Sequence, residues 1–210
     1  MRLLLVHGLW NSRHWLAPLA WRLHRAGFEV ELFGYASLFG GAEAAMPRLA
    51  ERIAATGAQG LVGHSLGGLL ALETLRHWPD SAVERVVCLG SPLLGSATAG
   101  GLVGLGAGVA LGRSADLLRR GVPVWDGRPA VGMVAGNVAH GFGRWITHLD
   151  GTSDGTVALA ETRWPGLSDH CEVACGHSGL VLSADVAGQV GRFLREGRFQ
   201  HEGRQGQGIG

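Results

Sequence analysis

Gly63-His64-Ser65-Leu66-Gly67 reads G-x-S-x-G, and so does Gly151-Thr152-Ser153-Asp154-Gly155. A serine flanked in this way can be the nucleophile of an acyl transfer. It sits on a turn so tight that the residues two before and two after it must be small. Glycine makes up 36 of the 210 residues, so the bare pattern arises readily by chance. The elements on either side decide which serine is meant. Gly60–Val62 reads as the end of a strand, and the run from Leu66 through Leu75 reads as a strong helix. Around Ser153, "RWITHLD" is not a buried strand and "TVALAETRWPG" is a poor helix start. Ser65 is therefore the candidate nucleophile.

A serine hydroxyl needs a base within hydrogen-bond reach and a carboxylate to orient that base. In an open α/β sheet such groups gather beyond the carboxyl ends of the strands. His177, in "CEVACGHSGLV", follows the last expected strand and is the candidate base. Asp154, in "SDGTV", follows the strand before it and is the candidate acid. Asp150 lies four residues away and competes for that role; Asp126 is a weaker competitor. The order Ser65, Asp154, His177 is the nucleophile–acid–base order of a hydrolase sheet. Of the other histidines, His14, His24, His77 and His201 read as surface or core residues. An oxyanion also needs two N–H donors. The Leu66 amide supplies one, and the loop after the first strand, Gly8-Leu9, supplies the other. Trp10, Leu93 and Leu94 are the expected apolar lining of a substrate pocket, with Leu66 beside them.

These groups need a scaffold. Strands are expected at Arg2–His7, Phe28–Phe33, Gly60–Val62, Arg85–Leu89, Ala130–Ala135 and Cys171–Cys175. Helical periodicity falls between them: Trp15 to Leu23, closed by Gly27; Met46 to Ile53, closed by Gly57; the run after Ser65; and Ser183–Arg195, with Ser183 as its cap. Strand and helix alternating six times argue one domain with an open, mostly parallel α/β sheet. The domain is expected over 1–198, with 199–210 a disordered tail. Within it, Gly100, Gly104, Gly108 and Gly112 recur every four residues, which would make one stripe if the segment is a helix. With Leu102, Val103, Leu105, Val109 and Leu111 they suggest a mobile apolar flap or cap over 95–125.

Composition excludes several classes. Basic residues number 18, all arginine, against 17 acids, and no basic run offers a footprint for nucleic acid. The first strand is followed by "HGLWNS" rather than G-x-G-x-x-G, so no dinucleotide cradle is expected and no cofactor is required. Cys88, Cys171 and Cys175 are few and odd in number, which favours a reducing compartment over a disulfide framework. Asp150 with Asp154 makes too thin a donor set for a metal. The apolar start of the chain is too short for a signal peptide, and "AGGLVGLGAGVAL" is too short to span a bilayer. A cytoplasmic protein without an integral membrane segment is the expectation; oligomeric state is not legible.

Taken together, "LLLVHGLW", "LVGHSLGG", "SDGTV" and "CGHSGLV" resemble, in order, the oxyanion strand, nucleophile elbow, acid loop and histidine loop of the α/β-hydrolase superfamily. The resemblance spans residues 2–195 and is greatest to small bacterial lipases and esterases and to the GPI-inositol-deacylase-like branch. It implies a three-layer α/β/α sandwich of about six strands, a minimal form lacking the first hairpin. The activity implied is cleavage of carboxylic esters by acylation of Ser65 and hydrolysis through His177. A residue such as Leu9 after His7-Gly8 resembles the lipase type that accepts medium or long acyl chains, so a small-molecule or lipid ester is the implied substrate. Thioesters, amides or transfer to another acceptor would use the same groups, and a non-catalytic ligand receptor on this fold is the reading from a different class.

Overall fold

The computed structural model describes residues 1–104, 107–124, 127–139 and 152–201, with 102–104 and 107–110 described by backbone alone. Six strands form one sheet: β1 Arg2–Val6, β2 Glu29–Phe33, β3 Gly60–His64, β4 Arg85–Leu89, β5 Ala130–Gly136 and β6 Asp169–Val173. Their order is β2-β1-β3-β4-β5-β6, and every pairing is parallel. Parallel neighbours need crossovers, and these are helical. Helix α1 (Ala17–Arg25) joins β1 to β2, α2 (Gly41–Thr56) joins β2 to β3, and α3 (Leu66–His77) joins β3 to β4. After β4 come α4 (Ala97–Gly104) and α5 (Ala115–Arg120); α6 (Leu159–Thr162) precedes β6, and α7 (Gly179–Leu182) and α8 (Ala184–Glu196) follow it.

Successive strand side chains point to opposite faces, and both faces are apolar. Leu4, Val6, Leu61, Val86, Cys88, Val131 and Met133 pack on one side with α2 and α3 residues such as Leu49, Ile53, Leu69 and Leu72. Leu3, Leu5, Val62, Val87, Leu89 and Val134 pack on the other with Leu19 and Leu23 of α1 and Val190 and Phe193 of α8. The result is the three-layer sandwich, with all its strands aimed the same way. Burial pushes the thiols of Cys88 and Cys171 up to about 12, and that of Cys175 up as well. All three cysteines are free, and no metal-binding group of His, Cys, Asp or Glu exists among the described residues. Among those residues, no helix is long and apolar enough to cross a membrane.

Two segments are better defined by the structure than by the sequence. The packed domain does not stop at Arg198: Phe199 is buried with its ring 4.8 Å from that of Phe193, and Gln200 N–H donates to Gln189 Oε1 at 2.8 Å. The rest of the expected tail, 202–210, lies outside the described residues. The glycine stripe is not one helix. Helix α4 is described over Ala97–Gly104, and a 3-10 segment over Ala107–Ser114 breaks at Gly112, where φ is 57°. Gly112 lies so close to the loop after β2 that a Cβ there would stand 2.2 Å from the Leu38 carbonyl oxygen. Leu111 is buried; Leu105 and the side chains of Leu102, Val103 and Val109 lie outside what is described.

The described residues of 95–124 are tied to the rest of the fold at several places. Ala97 N–H donates to Glu161 Oε1 at 2.6 Å, and Thr98 Oγ1 donates to the Thr156 carbonyl at 3.1 Å. Ser114 Oγ donates to the Ser37 carbonyl at 2.7 Å and accepts from Ala42 N–H at 3.2 Å. Arg120 reaches Glu73 at 3.0 Å. Glu73 is fully buried on α3 and also pairs with Arg76 at 2.9 Å, as a buried carboxylate must.

Candidate active site

Ser65 leaves β3 and immediately starts α3. Its φ of 54° is a left-handed value that a side chain adopts only under constraint. The constraint is visible. Ser65 N–H donates to the Leu89 carbonyl at 2.8 Å, and the flanking glycines leave no room for anything larger. A Cβ on Gly63 would stand 2.4 Å from Gly68 N, and one on Gly67 would stand 2.2 Å from the Val6 carbonyl oxygen. The second serine has a different setting. Ser153 is buried in a turn, and its Oγ accepts from Gly155 N–H at 3.3 Å.

Asp154 and His177 come together from the loops after β5 and β6. Nδ1 of His177 donates to Asp154 Oδ2 at 2.6 Å, a short charge-assisted bond. The other carboxylate oxygen, Oδ1, accepts from Thr156 N–H at 2.9 Å and Val157 N–H at 2.8 Å. Asp154 is 1% exposed, so these donors replace its water and leave the carboxylate a single orientation. The His177 amide also donates to the Asp154 carbonyl at 2.9 Å, which joins the two loops through their backbones. With Nδ1 committed, Nε2 is the nitrogen left to take a proton. Asp150 and Asp126 lie outside the described residues.

Gly8 packs against the elbow, where a Cβ would stand 3.0 Å from Ser65 Cβ. Next to it, His7 Nε2 accepts from Tyr35 N–H at 3.3 Å, so its proton is on Nδ1, which donates to the Gly8 carbonyl at 2.8 Å. Tyr35 Oη donates to the His7 carbonyl at 3.0 Å and its ring stacks on His7 at 4.5 Å. The described peptide bonds include no cis form. Fixing the Gly8 carbonyl therefore fixes the Leu9 N–H on the opposite side of the same plane, away from His7. The second expected donor, Leu66 N–H, opens α3, where first-turn amides have no carbonyl a turn earlier to bond. Burial lowers the pKa of His7, and it pulls that of His64 down to about 3.

The expected pocket residues divide. Leu93 is fully buried in the core with Leu66, while Trp10 and Leu94 are 61% and 51% exposed. Several neighbours escaped the sequence reading: His64, Tyr35, Gly90 and Gly136. A Cβ on Gly90 would stand 2.9 Å from Asp154 Oδ2 and 3.1 Å from His177 Nδ1; one on Gly136 would stand 2.9 Å from Asp154 Cβ. A signal for these glycines was present. Gly90 directly follows β4 and Gly136 ends β5, both at the sheet edge that carries the other groups.

With this geometry in hand, likeness to known proteins is informative. The family model of lecithin:cholesterol acyltransferase matches residues 48–110, less than half of the chain. No curated protein matches. Among solved structures, a Bacillus licheniformis lipase in mature form superposes with a TM-score of 0.72 at 21% identity, over 92% of this chain and 90% of that one. An α/β-hydrolase fold protein from Chitinophaga pinensis gives 0.67 at 13% identity, over 93% and 90%. The type II thioesterase of the borrelidin biosynthetic cluster gives 0.62 at 17%, over 92% and 91%. The chain has the α/β-hydrolase fold.

Proposed function

We propose that the protein is a serine hydrolase of carboxylic esters with medium to long acyl chains. The observation that carries this reading is the 2.6 Å Asp154–His177 pair, assembled at the same sheet edge as a serine held at positive φ. In the reaction, Ser65 Oγ attacks the ester carbonyl carbon as His177 Nε2 takes the hydroxyl proton. The carbonyl oxygen becomes an oxyanion facing the Leu9 and Leu66 amides. Collapse of this intermediate breaks the bond to the alcohol, which leaves with the proton from His177. Water then attacks the acyl-Ser65 ester, again giving its proton to His177; collapse of the second intermediate breaks the acyl–Oγ bond, His177 returns the proton to Ser65 Oγ, and the free acid departs. Asp154 keeps Nδ1 protonated and stabilises the imidazolium of both steps. Trp10 and Leu94 form the apolar rim that meets the acyl chain, and 95–124 is a cap set on the same edge.

Hydrolysis of p-nitrophenyl esters from C2 to C16 tests the reading. The wild type turns over with an optimum above C4, Ser65→Ala loses up to about 10⁶ in kcat, and Ser153→Ala keeps most of its rate. A dead Ser153→Ala with an active Ser65→Ala would overturn the assignment. A wild type active only on acyl thioesters would keep the mechanism and change the substrate class.

A further inference from the structure

One buried group in the site has no place in the mechanism above. His64 precedes the nucleophile in the chain, and its ring is 2% exposed. Nε2 stands 3.1 Å from the His177 carbonyl oxygen. A carbonyl only accepts, so Nε2 carries the proton and donates it. Nδ1 is then a bare lone pair, and it is buried with no hydrogen-bond partner. That nitrogen faces Gly8, where a Cβ would stand 3.3 Å away. The ring itself lies 4.7 Å from the His177 ring, tilted by 46°. A single side chain thus touches the loop of the oxyanion donors and the loop of the base, and it is bonded in sequence to the nucleophile.

A phenylalanine or leucine would fill this space without burying an unpaired acceptor. What the imidazole has that they lack is the N–H aimed at His177. The His177 loop is otherwise tied to the Asp154 loop, through the carboxylate and the backbone, and both of those loops follow late strands. The His64–His177 bond is a direct tie from the elbow to the base. We propose that His64 is a positioning residue of the ester hydrolysis inferred above: its Nε2–H holds the His177 backbone in register with Ser65, so that the base meets the serine hydroxyl without a search. The inference rests on that functional reading. The groups facing the ring are His7, Asp154 and His177, and burial keeps His64 neutral beside them. A neutral ring stays in one tautomer and does not repel the imidazolium that His177 becomes.

The test compares four proteins: wild type, His64→Phe, His64→Asn and His64→Gln. The glutamine amide reaches about as far as Nε2, whereas that of asparagine falls one methylene short. Steady-state turnover of the best p-nitrophenyl ester and the rate of Ser65 labelling by a fluorophosphonate are measured, with thermal midpoints as the folding control. His64→Phe and His64→Asn are expected to lose about 10–100-fold in kcat and in labelling rate, with KM within about twofold. His64→Gln is expected to recover to within about fivefold of wild type. Equal kcat for the glutamine and asparagine variants overturns the proposal, as does a phenylalanine variant as fast as wild type. If the phenylalanine variant does not fold, the glutamine–asparagine pair decides. A wild type that is neither labelled at Ser65 nor active on any ester overturns the functional reading, a result distinct from a labelled wild type with indifferent variants.

Discussion

At the scale of single residues, the proposed chemistry depends on which histidine nitrogen holds which proton. His7 and His64 each have a backbone partner that fixes a neutral tautomer, and burial keeps them neutral. His177 is fixed from the other side, by a carboxylate. Asp154→Asn separates that role from mere packing. Asparagine keeps an oxygen for the Thr156 and Val157 amides but turns an N–H toward His177 Nδ1. The ring must then carry its proton on Nε2, where it can no longer accept one from Ser65. A loss of about 10⁴-fold in kcat is expected, with the thermal midpoint little changed, by ester assay and calorimetry. A loss below tenfold would remove Asp154 from the role and send it to Asp150.

At the scale of elements, glycines mark where backbone approaches backbone, and not all of them matter. A Cβ on Gly67 would sit 2.2 Å from the Val6 carbonyl, which is backbone and cannot step aside. Gly67→Ala is expected to cost more than about 4 kcal/mol or to prevent folding altogether. Gly100 lies exposed on α4 with nothing within 4 Å of such an atom. Gly100→Ala is expected to stabilise by about 0.5–1 kcal/mol; urea denaturation of both variants checks the contrast. The same distinction explains what the sequence disclosed. Strands were legible because runs such as Leu3–Val6 and Val86–Leu89 are apolar on both faces, and α3 and α8 because their periodicity or cap is local, Ser183 accepting from Val186 N–H. Helix α2 begins five residues before the expected Met46, at Gly41, because a first-turn donor, Ala42 N–H, is met by Ser114, 72 residues away. Likewise the start of α4 is met by Glu161, 64 residues away. The α2 start has no side-chain cap of its own, whereas α4 also has a local one, Ser96 Oγ accepting from Ala99 N–H at 3.2 Å. In the candidate site, motif and strand order point to Ser65, Asp154 and His177, whereas the contacts of Tyr35 and His64 exist only across the fold.

At the scale of the whole molecule, the buried histidines couple stability to pH. His64 has an ordinary pKa of 6.5 when exposed and about 3 when folded. Between those values the unfolded chain binds a proton that the native state refuses. The stability of the native state is thus full above about pH 6.5 and falls as pH drops toward 3. His7 acts in the same direction. Replacing His64 by phenylalanine should make the fall in denaturation midpoint between pH 6.5 and 4 shallower by roughly one proton; an unchanged slope would mean that the ring titrates in the native state. The order of the sheet has a consequence of another kind. Ser65 leaves β3, in the middle of the sheet, while Asp154 follows β5 and His177 follows β6 at the edge. A ribosome delivers the amino-terminal end first. Ser65 is therefore made before either of its proposed partners. On the proposed reading, hydrolytic competence waits for the sixth strand and its loop, so a chain halted before them carries the serine without its base.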